Sequence, residues 1–384
     1  MDVAELRERS FHRILLIKPS AVGDVIHTIP ILVRLRRRYP QAQLDWLLTP
    51  RIAELIRHHP ALSNVLLFDR ATFARFGRSW TATRGLVRFL WDLWRIHYDL
   101  VIDLHGQFRS ALLSLVSRAP VRIGFDRPRR PAQGEEPQRL VKEAYLHGWT
   151  GAREGAWIAY THRMPIRTLD IHAVDRYLWL APLLGLEEGP VDFQIPLPEA
   201  AAARTAEMLA RHGIRGQPYT VLVPGTTWET KHWHSEGFAA VGRYLVQADC
   251  RVVLAGSDTE RPRCRAVAAA CPEAVDLCGQ TSLTELAVLL RGASLCVTND
   301  SGSMHLAVAL GRPVVSIFGP TDPVWIGPYN RPGAVVQAEG IACAPCYLRK
   351  LSHCRHGHAC MDEVTPAMVI ERIQRLRLLP AQCA

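Results

Sequence analysis

Short runs rich in Leu, Val and Ile alternate with helical stretches along this 384-residue sequence, and the alternation is laid down twice. In the first half the runs are Arg13–Lys18, Gln43–Leu48, Asn64–Phe68 and Asp99–Leu104, with helices expected over Val25–Arg38 and Gly85–His97. The second half repeats the pattern with Thr220–Val223, Arg251–Ala255, Ala274–Leu277, Ser294–Thr298 and Val314–Phe318. Helices are expected between them around Ser235–Val246, Glu260–Ala270, Ser282–Arg291 and Gly302–Leu310. Strands that alternate with helices form parallel sheets, because each crossover helix returns the chain to the same edge. A chain of this length also exceeds one ordinary core. The expected architecture is therefore α/β, with two doubly wound domains. Gly185 is placed to end a helix over His172–Leu184, and Gly185–Pro198 reads as a connection. The domains are expected at 1–188 and 189–364, and a closing helix in 365–384 can pack back on the first domain.

The net charge of +10 is unevenly spread. Residues 1–190 hold 28 Lys and Arg against 19 Asp and Glu, and residues 191–384 hold 18 against 17. A basic first half attracts nucleic acid, anionic lipid headgroups or an acidic substrate, or is simply a solvated Arg-rich face. Nothing in it resembles a nucleic-acid-binding motif. No run approaches the ~18 apolar residues of a spanning helix, and the charged start MDVAELRERSFHR is unlike a secretory signal. The expectation is a cytoplasmic protein, with attachment to a membrane surface left open. Residues 127–137 are rich in Pro and charge and read as a long mobile loop.

All ten cysteines lie at or after Cys250. Cys343, Cys346, Cys354 and Cys360 fall close together, interleaved with His353, His356 and His358. Thiolates and imidazoles in one short segment can converge on a structural zinc ion, or the cysteines can be reduced packing residues of a surface loop.

Five strand ends carry the residues suited to chemistry. After the Ser294–Thr298 run come Asp300, Ser301 and Gly302, which open a helix containing His305. Exposed amides and the helix dipole favour an anion there, typically a phosphate, and ligands of open α/β sheets bind at this edge. Thr226, Thr227 and Lys231 follow Thr220–Val223 and suit a diphosphate, through hydroxyl donors and a point charge. Asp258, after the next strand, can accept from ribose hydroxyls, or Ser257 beside it only caps a helix. In the first half, Asp24 stands at a helix start after Lys18 and Gly23, either as an N-cap or as a general base. Asp103, His105 and Arg109 lie after another strand, where Arg109 pairs with a substrate anion or with Asp103.

Taken together, Lys18-x-Ser20-x-x-Gly23-Asp24-x-x-His27, Asp103-x-x-Gly106, Lys231-x-Trp233, Asp300-Ser301-Gly302-x-x-His305 and Phe318-Gly319-Pro320-Thr321-Asp322-Pro323 resemble glycosyltransferase family nine, the ADP-heptose:lipopolysaccharide heptosyltransferases. The resemblance runs from about residue 13 to 375. It implies a GT-B fold, two Rossmann-like domains facing an interdomain cleft, with the acceptor bound by the first and the donor by the second. It further implies an inverting, metal-independent transfer with no cofactor beyond the donor substrate ADP-heptose. The implied acceptor is anionic and lipid-linked, Kdo–lipid A or heptosyl–Kdo, at the inner membrane surface. By resemblance Asp24 is the catalytic base, and Ser20, His27 and Arg109 are expected on the acceptor. Thr226, Thr227, Lys231, Ser301, Gly302 and His305 would lie at the donor phosphates, Asp258 at the ribose and Asp300 at the heptose. His234 departs from the pattern, standing where Pro is common. A sugar-nucleotide 2-epimerase of similar layout, and a family-nine transferase with another donor sugar, are the alternatives.

Overall fold

The structure is a computed structural model and describes residues 3–128 and 149–379. Most of the Pro- and charge-rich segment at 127–137 lies outside the described residues. The chain divides into two compact units, with Leu197 opening the second.

The first unit is a six-stranded parallel sheet: β1 (Arg13–Ile17), β2 (Gln43–Leu48), β3 (Asn64–Leu67), β4 (Leu100–Asp103), β5 (Val121–Phe125) and β6 (His162–Met164). Its order is β3-β2-β1-β4-β5-β6, with Leu15 opposite Asp45 on one side and Val101 on the other. The sheet is therefore doubly wound, and the winding reverses between β1 and β4. The Val22–Arg38 helix, buried along most of its length, follows β1. The Trp80–Arg95 and Phe108–Val116 helices lie on either side of β4 in sequence. Their inner faces join Leu15, Ile17 and Val101 in one apolar cluster through Leu93 and Leu113. Burying such side chains contributes about 1.5–3 kcal/mol each relative to exposure.

The second unit repeats the design with β7 (Tyr219–Val223), β8 (Arg251–Leu254), β9 (Val275–Asp276), β10 (Leu295–Asn299), β11 (Val314–Phe318) and β12 (Val335–Gln337). The order β12-β11-β10-β7-β8-β9 reverses between β10 and β7. All described strand pairs in both sheets are parallel. Its core joins Leu222, Phe238, Leu254 and Val297 to Val369 and Ile373 of the Pro366–Arg375 helix.

Two domain expectations change. The first unit extends to Pro196 rather than ending at 188, because the connecting segment is tied to the Val22–Arg38 helix. Arg34 donates to the Gly189 carbonyl at 2.6 Å, and Arg37 pairs with Asp192 at 3.2 Å. The closing helix belongs to the second unit and not the first. Val369 and Ile373 are buried there, and Arg372 donates to the carbonyl of Gly333 at 2.6 Å.

Three strands were not anticipated: β5, β6 and β12. β6 and β12 have three residues each, too short for alternation to register. β5 reads VRIGF, with Gly124 in a run that is otherwise strand-like. The glycine has a reason: a Cβ there would overlap the ring of Tyr160. Tyr160 is itself fixed, donating from its hydroxyl to Asp103 Oδ2 at 2.8 Å. Gly124→Ala is expected to destabilise the protein by about 1–3 kcal/mol through overpacking, read as a lower urea midpoint at unchanged slope.

Candidate active site

In the first unit the chemistry gathers where the winding reverses. Lys18 follows β1, and Asp24 sits in the first turn of the Val22–Arg38 helix, whose N-cap is Ala21. Asp24 is therefore not the N-cap. Its Oδ2 accepts from the Ala21 amide at 3.2 Å, while Oδ1 lies 3.4 Å from Lys18 Nζ and accepts from the Tyr177 hydroxyl at 3.2 Å. Burial acts to raise the Asp24 pKa, but Lys18, the Ala21 amide, His105 and Arg176 outweigh it and hold the carboxyl below its ordinary value. Burial likewise opposes the charge on Lys18, and Asp24 with Tyr177 restores it, so the ammonium persists. Although clamped, the Asp24 side chain is 41% exposed. It is an ionised carboxylate held in one orientation and reachable from outside.

The β4 end supplies the neighbouring wall. Asp103 is fully buried and accepts from the amides of His105 and Gly106 at 2.9 and 3.1 Å as well as from Tyr160. Burial pushes its pKa up, against those hydrogen bonds. Gly106 has φ +67°, a conformation that favours glycine. The Asp103-x-x-Gly106 motif is thus a turn that aims the next residues. It leads into a pocket lined by Ser20, Arg70, His105, Gln107 and Arg109. Burial and the nearby Lys18 push the His105 pKa down to about 4, so its ring is neutral at pH 7. Its Nδ1 has no hydrogen-bond partner among the described residues. Ser20 and Arg109 both line this pocket, and Asp103 is held by Tyr160 and amides instead of Arg109. His27 does not line it. Its ring is buried under the helix and meets His172 edge-on at 5.1 Å.

In the second unit the corresponding edge is built on a closed ion pair. Lys231 Nζ lies 2.6 Å from Asp300 Oδ2, with side chains only 10% and 4% exposed. Thr321 donates to the same oxygen at 2.7 Å, and the Thr226 hydroxyl donates to the Asp300 carbonyl at 2.9 Å. Three strand ends, those of β7, β10 and β11, are thereby locked together. Asn299 adds a second clasp, donating to the Pro224 carbonyl at 2.8 Å and accepting from the Trp233 amide at 3.1 Å. Trp233 is buried, and its indole donates to the Val364 carbonyl at 2.8 Å. The Lys231-x-Trp233 motif therefore anchors the loop that presents the lysine. Ser301 is the N-cap of the Gly302–Ala309 helix, with its Oγ 3.0 Å from Thr298 Oγ1. Thr227 is exposed, and His305 is buried within that helix. His234, the departure from the family pattern, is the N-cap of Ser235–Gln247, its Nδ1 accepting from Gly237 N at 2.9 Å.

Asp258 turns outward. Its side chain is 79% exposed and pairs with Arg261 within the same turn. Glu260 turns inward instead. Its Oε2 accepts from the Ser257 hydroxyl at 2.7 Å, and a Cβ on Gly225 would overlap its carboxylate. The Ser257-x-x-Glu260 capping-box spacing was the available signal. The sequence gives no sign of Tyr177 and shows Thr321 only within a motif, because the parts of both depend on contacts across the fold.

The cysteine-rich segment does not assemble as a metal centre. Among the described residues, the ligand atoms brought within 4.8 Å of one another are those of Cys264, Asp276 and Cys278, not those of Cys343, Cys346, Cys354 and Cys360. Cys346 and Cys360 are buried, and burial pushes the Cys360 thiol up to about 12, which disfavours the thiolate a metal needs. The segment instead braces the loops of the ion pair. Thr230 donates to the Leu348 carbonyl at 2.5 Å, Tyr347 N donates to the Pro320 carbonyl at 2.8 Å, and His358 Nε2 lies 2.8 Å from the Thr230 carbonyl.

Two parallel sheets, each with polar groups gathered where its winding reverses, define a two-domain, doubly wound α/β protein whose strand ends are suited to ligand binding. The family model for glycosyltransferase family 9 (heptosyltransferase) matches residues 87–147 and 138–354. Lipopolysaccharide heptosyltransferase 1 of Pseudomonas aeruginosa is 32% identical over 389 residues, covering 96% of this chain and 99% of that protein. Among solved structures, the E. coli heptosyltransferase WaaC with ADP is 26% identical with a TM-score of 0.70, covering 94% of this chain and 99% of that one. A family 9 glycosyltransferase from Veillonella parvula shares the fold, with a TM-score of 0.77 at 20% identity, covering 97% and 98%. The chain belongs to glycosyltransferase family 9. Membership of a transferase family decides between the two enzyme classes that the sequence motifs had left open, against the epimerase.

The electrostatics around Asp24 have a pH consequence. Lys18 helps to hold the Asp24 pKa down, so Lys18→Met raises it and the ionised form is lost at higher pH. The acid limb of the kcat/KM profile is expected to move to higher pH in Lys18→Met. A limb that stays in place would show that Asp24 ionisation does not govern turnover.

Proposed function

We propose that this chain is an inverting glycosyltransferase that moves heptose from ADP-heptose to the inner core of lipopolysaccharide, on a Kdo–lipid A or heptosyl–Kdo acceptor. The observation that carries this reading is Asp24, an ionised carboxylate clamped by Lys18 and Tyr177 yet open on one side. The heptosyltransferases among its relatives supply the substrate class.

In the proposed step the acceptor hydroxyl gives its proton to Asp24 as its oxygen attacks the anomeric carbon of the donor. The bond from that carbon to the diphosphate breaks on the opposite side, ADP leaves with the electron pair, and the configuration inverts. Arg109, Ser20 and the neutral ring of His105 are assigned to the acceptor. An arginine suits its carboxylates and phosphates, because its planar fork can bind them in a bidentate manner.

At the other centre, Lys231, the Thr226 and Thr227 hydroxyls and the amides at Ser301 and Gly302 are assigned to the diphosphate. His305 supports the helix that carries those amides. Charge developing on departing ADP is offset by Lys231 and the helix start, so the reaction needs no metal ion or other cofactor. Asp300 Oδ2 is occupied by Lys231 and Thr321, which leaves Oδ1 for the heptose hydroxyls. Glu260 takes the ribose role expected of Asp258. The enzyme works in the cytoplasm at the inner membrane surface, as a lipid-linked acceptor requires, and none of its described helices is long and apolar enough to cross a membrane.

Asp24→Asn keeps the shape of the side chain and removes the base. Turnover with ADP-heptose and Kdo–lipid A is expected to fall by about 10²–10⁴-fold, while calorimetric ADP affinity is unchanged. Near-normal turnover in Asp24→Asn would reduce the residue to a helix-start contact and remove the proposed mechanism.

A further inference from the structure

The helices Trp80–Arg95 and Phe108–Val116 pack together in the first unit, and each leaves an apolar stripe uncovered. On the longer helix Trp80, Val87, Trp91 and Trp94 are exposed, at spacings that keep them on one face. Trp80 is 79% exposed, and Trp91 and Trp94 stack with ring centroids 5.0 Å apart. On the shorter helix the exposed apolar residues are Phe108, Leu112 and Leu115, again four and three apart. The opposite faces of both helices supply Leu93 and Leu113 to the core, so the uncovered stripes point away from it. Tryptophans in such numbers are not scattered surface residues but a patch built for contact.

The charge around the stripes says what the contact is. Between residues 70 and 118 the sequence has eight arginines, no lysine and no glutamate, against Asp92, Asp99 and Asp103. Asp103 is buried, whereas Arg75, Arg78, Arg84, Arg88, Arg95, Arg109 and Arg118 are all exposed. Arg118 lies over the Trp94 ring at 4.9 Å. A second copy of the chain would set arginine against arginine, a repulsive pairing. Anionic lipid headgroups complement the arginines, and tryptophan is at home in the interfacial layer between headgroup and acyl chain.

We propose that this two-helix face docks on an anionic bilayer and holds the neighbouring pocket at the headgroup layer. Phe108 in the stripe and Arg109 in the pocket are consecutive residues of one helix. A lipid-linked saccharide can therefore keep its acyl chains in the bilayer while its anionic sugar enters beside Arg109 and His105. The lipid-linked acceptor in this inference rests on the heptosyltransfer reading; the docking itself does not.

The test is flotation of the full-length protein with phosphatidylethanolamine–phosphatidylglycerol vesicles and, separately, phosphatidylcholine vesicles. The wild type is expected to float with the first and not the second, and to be released by high salt. Trp80→Glu/Trp91→Glu is expected to lose at least about tenfold in vesicle binding. It keeps the wild-type ADP affinity and its turnover on a deacylated, water-soluble acceptor, but loses turnover on acceptor embedded in vesicles. Should that variant fail to fold, Arg84→Glu/Arg88→Glu makes the same test through charge. Equal flotation of the variants, or no flotation of the wild type, overturns the proposal. So does a concentration-dependent dimer that the variants dissociate, which would make the face a contact between copies. Flotation without heptose transfer would leave the docking standing and remove the functional reading; transfer without flotation would do the reverse.

Discussion

Each sheet of this protein holds a lysine against an aspartate at the edge where its winding reverses, and the properties of the two centres follow from how tightly that pair is closed. Lys231 and Asp300 are 2.6 Å apart and almost entirely buried. Burial of two charges is tolerable only when both are paired and hydrogen-bonded, and Thr321 meets that need at the shared oxygen. The result is a rigid junction of three strand ends. Lys18 and Asp24 are 3.4 Å apart, and the aspartate is open on one side. The same pair of residue types therefore gives a fixed frame in one unit and an accessible carboxylate in the other.

Around the closed pair, much of the second unit serves to hold loops still. Asn299 and Trp233 clasp the β7 and β10 exits, and the cysteine-rich segment braces the loops carrying Thr230 and Pro320 from outside. This gives the cysteines a packing role independent of any metal. Preorganised donors of this kind stabilise developing charge without reorganising during a reaction.

The fold was largely legible in the sequence because long, strongly apolar runs such as Gln43–Leu48 and Val314–Phe318 can only be buried strands in an alternating pattern. The strands that escaped were short or interrupted by a glycine whose role is set by a distant tyrosine. Asp24, Lys231 and Asp300 were legible because they stand at strand ends within recognisable motifs. The surroundings of Asp258, His27 and the cysteine set were not legible, for a different reason. Spacing puts a residue at an edge, but only packing decides whether it turns inward, as Glu260 does, or outward, as Asp258 does. Tyr177 is 153 residues from the carboxylate it serves, a separation that no local pattern reports.

In the proposed reaction this protein binds an ADP-linked sugar through its own lysine, hydroxyls and helix amides. Calorimetric titration of ADP, UDP and GDP in EDTA, repeated with magnesium, tests it most directly. Preferential binding of ADP is expected, with the same affinity in both buffers. Preference for UDP, or binding only when magnesium is supplied, would contradict it.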